Sequence, residues 1–145
     1  MSTNTFLFPD VDVWLALAHE IHPQHRVAVV WGESLNSEAV LSFCRFTQLG
    51  LLRLLTNPSA MSADVLTQAK AWAVYDAFLQ TARARLMEEP RGIDPLFRQH
   101  TSRNEVSTKQ WADGYLLAFS MAAGIPLVTF DRALAGKVKG AVLLG

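Results

Sequence analysis

An α/β three-layer sandwich, with a mainly parallel central sheet covered by helices on both faces, is the fold this sequence predicts. Short apolar runs of strand-forming residues alternate with helical stretches, the pattern that parallel strands need for their crossovers. Those runs are short and mainly apolar, as expected of strands buried on both faces. The 145 residues are 50% hydrophobic and 18% charged, which suits one domain over 1–145 with a sizeable core.

The elements follow in order. Thr5–Phe8 reads as the first strand, stopped by Pro9, with Asp10 at its carboxyl end. Asp12 is expected to cap a helix from about Val13 to His19, which His22-Pro23 breaks. A second helix, Gln24 to Glu33, places Val27, Val30 and Trp31 on one buried face. Ala39–Phe43 is the second strand, and a helix from about Arg45 to Thr56 ends at Asn57-Pro58. Ser62–Arg85 is predicted to be one long helix with Leu66, Ala69, Ala73 and Leu79 in its core face, with Ala84–Met87 as a short strand. Asp94-Pro95 suits the cap and first turn of a brief helix to His100. After a polar loop at Thr101–Glu105, Ser107 caps a helix over Thr108–Ala123 that Gly124 terminates. Pro126–Thr129 is a buried strand followed by Asp131 and a helical turn, and Ala141–Leu144 is the last strand.

Composition narrows the function classes. The 13 basic and 13 acidic residues cancel, so no global field attracts nucleic acid or membrane, and a nucleic-acid partner must meet a local basic patch. Zero net charge also favours self-association or a stable partner. Cys44 is the single cysteine, which excludes an intrachain disulfide and a cysteine-rich metal site and reads as a buried small hydrophobe. No apolar run is long enough for a membrane span. Met1–Pro9 has neither the basic start nor the cleavage site of a secretory leader, so a cytoplasmic protein is expected.

The informative signal is where the acids fall. In parallel sheets, ligands bind beyond the carboxyl ends of the strands at the switch in strand order. Asp10 and Asp131 both follow strands there. Asp113 shares a helix face with Leu116, Leu117 and Ser120, so it heads an apolar stripe directed at the sheet. A carboxylate so placed needs a cation or hydrogen bonds. Two readings stand: a shared metal site, or an ion pair with Lys109 at i−4. Gln48 heads a similar stripe of Leu51, Leu52 and Leu55, and its amide can serve a ligand or simply cap the core. Three converging carboxylates suit a hard divalent cation, Mg²⁺ or Mn²⁺, that retains several waters. Such a site can activate a water and stabilise charge on a phosphodiester undergoing hydrolysis. Asp12 could also reach the ion, and Thr129 could orient Asp131 or a water. The four tryptophans, Trp14, Trp31, Trp72 and Trp111, read as core or interface anchors. His22 and His25 are too few for a zinc site and suit capping or packing, and His19 and His100 have no better metal case.

Three segments, FPDVDVWLAL, CRFTQLGLLRLLTNP and WADGYLLAFSMAAGIPLVTFD, together resemble the PIN-domain family, specifically VapC-type ribonuclease toxins of bacterial toxin–antitoxin pairs. The resemblance runs over nearly the whole chain. It carries the family's acids onto Asp10, Asp113 and Asp131, while Gln48 stands where a Glu is common. Arg132-Ala133-Leu134 stands where relatives often carry another acid and an aromatic. The resemblance implies a Mg²⁺- or Mn²⁺-dependent endoribonuclease, with Asp10, Asp113 and Asp131 holding the metal and Gln48 contributing a hydrogen bond. It also implies a cognate antitoxin, a homodimer and an RNA substrate. Arg83, Arg85, Arg91, Arg98, Arg103 and Lys109 offer a compatible basic surface, with Arg45 and Arg53 framing the groove. Glu88, Glu89, Asp94 and Glu105 in the same span fit an ordinary mixed surface equally. Two other readings compete: an inactive PIN-like binding protein that keeps the antitoxin interface, and a phosphatase using Asp10 as nucleophile and Asp12 as acid/base. The latter lacks a convincing later Lys and paired downstream acids.

Overall fold

The computed structural model describes residues 5–145. Five strands, β1 (Phe6–Pro9), β2 (Val40–Phe43), β3 (Ala84–Leu86), β4 (Leu127–Thr129) and β5 (Val142–Leu143), form one sheet in the order β3-β2-β1-β4-β5. Every neighbouring pair is parallel, with Phe6 against Val40 and Phe8 against Leu127 flanking the central strand. The chain winds outward from β1 to β3, then returns to β4 on the other side of β1. The order therefore reverses between β1 and β4, which opens a crevice beyond their carboxyl ends.

Among the described residues, eight α-helices supply the crossovers: α1 (Val11–Ala18), α2 (His25–Ser34), α3 (Arg45–Leu55), α4 (Pro58–Met61), α5 (Gln68–Gln80), α6 (Ile93–His100), α7 (Lys109–Ala123) and α8 (Arg132–Ala135). β1 shows why both faces are covered. Phe8 belongs to a core with Leu116, Phe119 and Leu127, stacking on Phe119 at 4.7 Å between ring centroids. Its neighbour Leu7 packs with Val13, Val128 and Leu144. A third cluster joins Trp14, Phe43, Leu51, Leu55 and Tyr75 between α1, α3 and α5. Gly114 lets α6 approach α7 closely, since a Cβ there would meet the Thr101 methyl at 2.3 Å.

Several expected details are corrected. Asp10, not Asp12, caps α1: its Oδ1 accepts from the Val13 amide at 3.2 Å, while Asp12 lies in the first turn. The helix starts earlier because Asp10 is extended and already three residues before that amide. The stretch expected as one helix from Ser62 is broken. Asn57 caps α4, Ser62–Asp64 forms a 3-10 turn, and Thr67 Oγ1 accepts from the Lys70 amide to start α5. The buried face of α5 is accordingly Ala71 and Tyr75, with Ala69 and Ala73 exposed. On α2 only Ala28 is fully buried, whereas Val27 and Val30 are exposed. Gly92, in left-handed conformation at φ 81°, occupies the N-cap of α6 expected for Asp94, which pairs instead with Arg98 at 2.7 Å. Trp72 and Trp111 lie largely outside the core, at 46% and 58% exposure.

Candidate functional site

The carboxyl ends of β1 and β4 open onto a cleft of about 530 Å³. Asp10, Asp113 and Asp131 all line it, together with Asp12, Gln24, Phe46, Lys109 and Thr129. Three separate pieces of local structure bring the acids there. Asp10 leaves β1 with its amide donating to the Val128 carbonyl at 2.9 Å, so pairing with β4 fixes its backbone. Asp113 heads the buried stripe of α7 as its spacing requires, with Leu116, Leu117 and Ser120 buried behind it. Asp131 caps α8, its Oδ1 accepting from the Leu134 amide at 3.1 Å.

Thr129 links two of these acids. Its buried hydroxyl donates to Asp10 Oδ2 and accepts from the Asp131 amide at 3.0 Å. The Asp10 carboxylate is thus oriented by a hydroxyl at one oxygen and a helix amide at the other. Burial still dominates its electrostatics and pushes the Asp10 carboxyl above the ordinary carboxylate range. Asp131 behaves oppositely: the Leu134 amide, assisted by Lys109, holds it below that range. The Lys109 ammonium hydrogen-bonds Asp113 and lies 3.4 Å from Asp131 Oδ2, contacts that push its own pKa up. The ion pair of Asp113 with Lys109 is thus present, and it lies inside the cleft that Asp113 shares with Asp10 and Asp131.

Gln48 is placed differently. It is buried on α3, its Oε1 accepts from Arg45 Nη1 at 2.6 Å, and it does not line the cleft. Asp12 stands at the rim, held by His22 Nε2 at 2.9 Å. The Gln24 amide donates to His22 Nδ1, so Nε2 carries the proton that Asp12 accepts. Packing and capping also account for His25, whose Nδ1 meets the Ala16 carbonyl at 2.6 Å.

Part of the expected basic surface is committed elsewhere. Arg83 donates to the carbonyls of Ala39 and Asn36, and Arg85 binds Ser42 and lies over the Phe6 ring. The tie between Thr129 and Asp10, 119 residues apart, and the reach of Lys109 to Asp131 have no periodic signal in the sequence. Only the i−4 spacing of Lys109 from Asp113 was readable.

Among the described residues, no group of three or more His, Cys, Asp or Glu side chains is arranged to hold a metal ion by direct ligation. The chemistry of the donor set still fits a hard cation. Oxygen ligands from carboxylates face one cleft, and Mg²⁺ commonly takes one or two protein carboxylates and keeps its remaining waters. An ammonium already neutralises two of these acids, so the cleft accepts positive charge. Among the described residues, no helix is long and apolar enough to cross a membrane.

The PIN domain model matches residues 7–139. Ribonuclease VapC41 of Mycobacterium tuberculosis is 42% identical over 131 residues, covering 88% of this chain and 90% of that protein. The fold is shared with solved structures, among them the following two. VapC20 of M. tuberculosis, described as a sarcin–ricin loop cleaving toxin, superposes with a TM-score of 0.66 at 16% identity, covering 96% of this chain and 99% of that one. VapBC2 of Rickettsia felis, solved with a DNA fragment from its promoter, gives 0.68 at 10% identity over 96% and 97% of the two chains.

Proposed function

Because this chain belongs to the PIN-domain family, we propose that it is a VapC-type endoribonuclease, the toxin of a toxin–antitoxin pair, hydrolysing RNA phosphodiesters with Mg²⁺ or Mn²⁺. The observation that carries the reading is the convergence of Asp10, Asp113 and Asp131 on one cleft at the strand-order reversal. In this reading the whole chain acts as one cytoplasmic domain. Its partners are a cognate antitoxin, a second toxin chain and RNA.

Asp10, Asp113 and Asp131 would hold the cation between them, in part through its retained waters. When bound, it supplies Lewis-acid stabilisation of charge on the phosphodiester and makes a water more acidic. The protein does the positioning. Thr129 and the Val13 amide fix the two oxygens of Asp10, and the Leu134 amide fixes one of Asp131. Asp113 is set by the packing of α7 against the sheet. The exposed Arg45, anchored through its hydrogen bond to Gln48, is available to hold the RNA backbone. Gln48 thereby becomes a positioning residue. Gln48→Ala is expected to raise KM for RNA about threefold to tenfold, the loss of one charge-assisted contact, while kcat changes little. A fall in kcat with unchanged KM would assign Gln48 to the chemistry itself.

The decisive experiment maps new RNA ends after incubating the purified chain with RNA and Mg²⁺ or Mn²⁺. The wild-type protein should generate discrete ends, and Asp113→Ala should generate none. Identical ends from both proteins would overturn the assignment. The absence of cleavage by wild-type protein that binds its antitoxin tightly would favour the inactive binding protein.

A further inference from the structure

The acid cleft contains a cation of the protein's own. Lys109 is the only Lys or Arg among the described residues lining it. It stands one turn before Asp113 on α7, and its ammonium reaches carboxylates from two elements, Asp113 on α7 and Asp131 at the start of α8. The Asp113 carboxylate is nearly buried, whereas the Lys109 side chain is 65% exposed. Asp113 is therefore fixed by burial and Asp131 by its bond from the Leu134 amide, while the lysine is tethered by a flexible four-carbon stem.

We propose that Lys109 is a displaceable internal counter-ion, which neutralises Asp113 and Asp131 in the metal-free protein and must leave them before a divalent cation can bind. The inference rests on the metal-site reading above and adds a competitor to it. Two carboxylates brought together without a cation repel one another and favour protonation or unfolding. Lys109 removes that repulsion in the absence of metal. A divalent ion on the same oxygens would stand within a few ångströms of the ammonium, where like charges repel strongly in a partly desolvated cleft. The exposed stem allows the ammonium to swing into solvent without disturbing the core.

The test measures Mn²⁺ binding to the purified chain by the loss of the free-ion electron paramagnetic resonance signal. Wild type, Lys109→Met and Lys109→Arg are compared. Thermal unfolding of each is followed in chelator and in saturating Mn²⁺. Lys109→Met is expected to bind Mn²⁺ about tenfold more tightly than wild type, and Lys109→Arg to resemble wild type. Lys109→Met should melt below wild type in chelator, with the deficit vanishing in saturating Mn²⁺. Equal or weaker Mn²⁺ binding by Lys109→Met, or a melting deficit that metal leaves unchanged, would overturn the proposal. If wild type cuts RNA while the two proteins bind Mn²⁺ alike, only this inference falls. If neither binds Mn²⁺ and wild type leaves RNA intact, the nuclease reading falls with it.

Discussion

Asp10→Asn is expected to lower RNA cleavage by about a thousandfold while raising the melting temperature of the metal-free protein. The first effect follows from removing the charge. Electrostatic stabilisation by a bound cation is worth several kcal/mol, and about 4 kcal/mol corresponds to a thousandfold in rate. The second follows from burial. Asp10 is 9% exposed, and desolvation raises its carboxyl pKa in the folded protein above the ordinary 3.8. A raised carboxyl pKa favours folding below the unfolded value, and that benefit is lost as pH rises through the folded value. At neutral pH the ionised Asp10 therefore costs stability, and Asn does not incur that cost. Asparagine also caps helices as well as aspartate does, so its Oδ1 can keep the bond from the Val13 amide. Melting curves in chelator from acid to neutral pH should show the variant ahead of wild type at pH 7, with the gap closing as pH falls. A variant that melts lower at neutral pH, or still cuts RNA at the wild-type rate, would contradict the assignment of Asp10.

Trp14→Ala should cost the domain about 3–5 kcal/mol by denaturant titration, a large share of a total typically about 5–15 kcal/mol. Trp14 is fully buried, stacks on Phe43 with ring centroids 3.6 Å apart, and meets the edge of Phe78. It joins α1 to β2 and α5, and α1 is the helix that Asp10 caps. Loss of its ring thus loosens the backbone of the site as well as the core. Trp14→Phe provides the contrast. Trp14 Nε1 finds no hydrogen-bond partner among the described residues, and an unsatisfied buried donor costs about 1–3 kcal/mol. Phenylalanine omits that donor while keeping a ring against Phe43, so its net cost should be well below that of alanine. Equal destabilisation by the two variants would show that the packing of the full indole, rather than an aromatic ring, holds this layer.

The elements most legible in the sequence were those whose burial repeats with the period of their secondary structure. Asp113 with Leu116, Leu117 and Ser120, and Gln48 with Leu51 and Leu55, are buried as their spacing requires. Fully buried strands were also readable, because Phe8, Leu127 and Val128 leave no polar face. Errors arose where two local signals competed. Asp10 and Asp12 can both cap a helix, and only the backbone path out of β1 chooses between them. Thr67 is an N-cap inside a stretch that otherwise looks continuously helical, and the helix it starts buries Ala71 and Tyr75 rather than Ala69 and Ala73. On α2 an apolar pattern did not mean burial: Val27 and Val30 meet solvent, because no element of the described fold covers that face.

From the sequence alone come the α/β class, the alternation of strand and helix, and the placement of Asp10 and Asp131 at strand ends. These follow from local periodicity and chain punctuation, which act over a few residues. Tertiary structure alone decided that β4 returns beside β1 and brings Thr129 to Asp10 across 119 residues. The Arg45–Gln48 bond is local to one helix, whereas tertiary structure again decided that Lys109 answers two acids rather than one. Such contacts depend on the register and order of strands, which arise from packing the whole core rather than from any single segment.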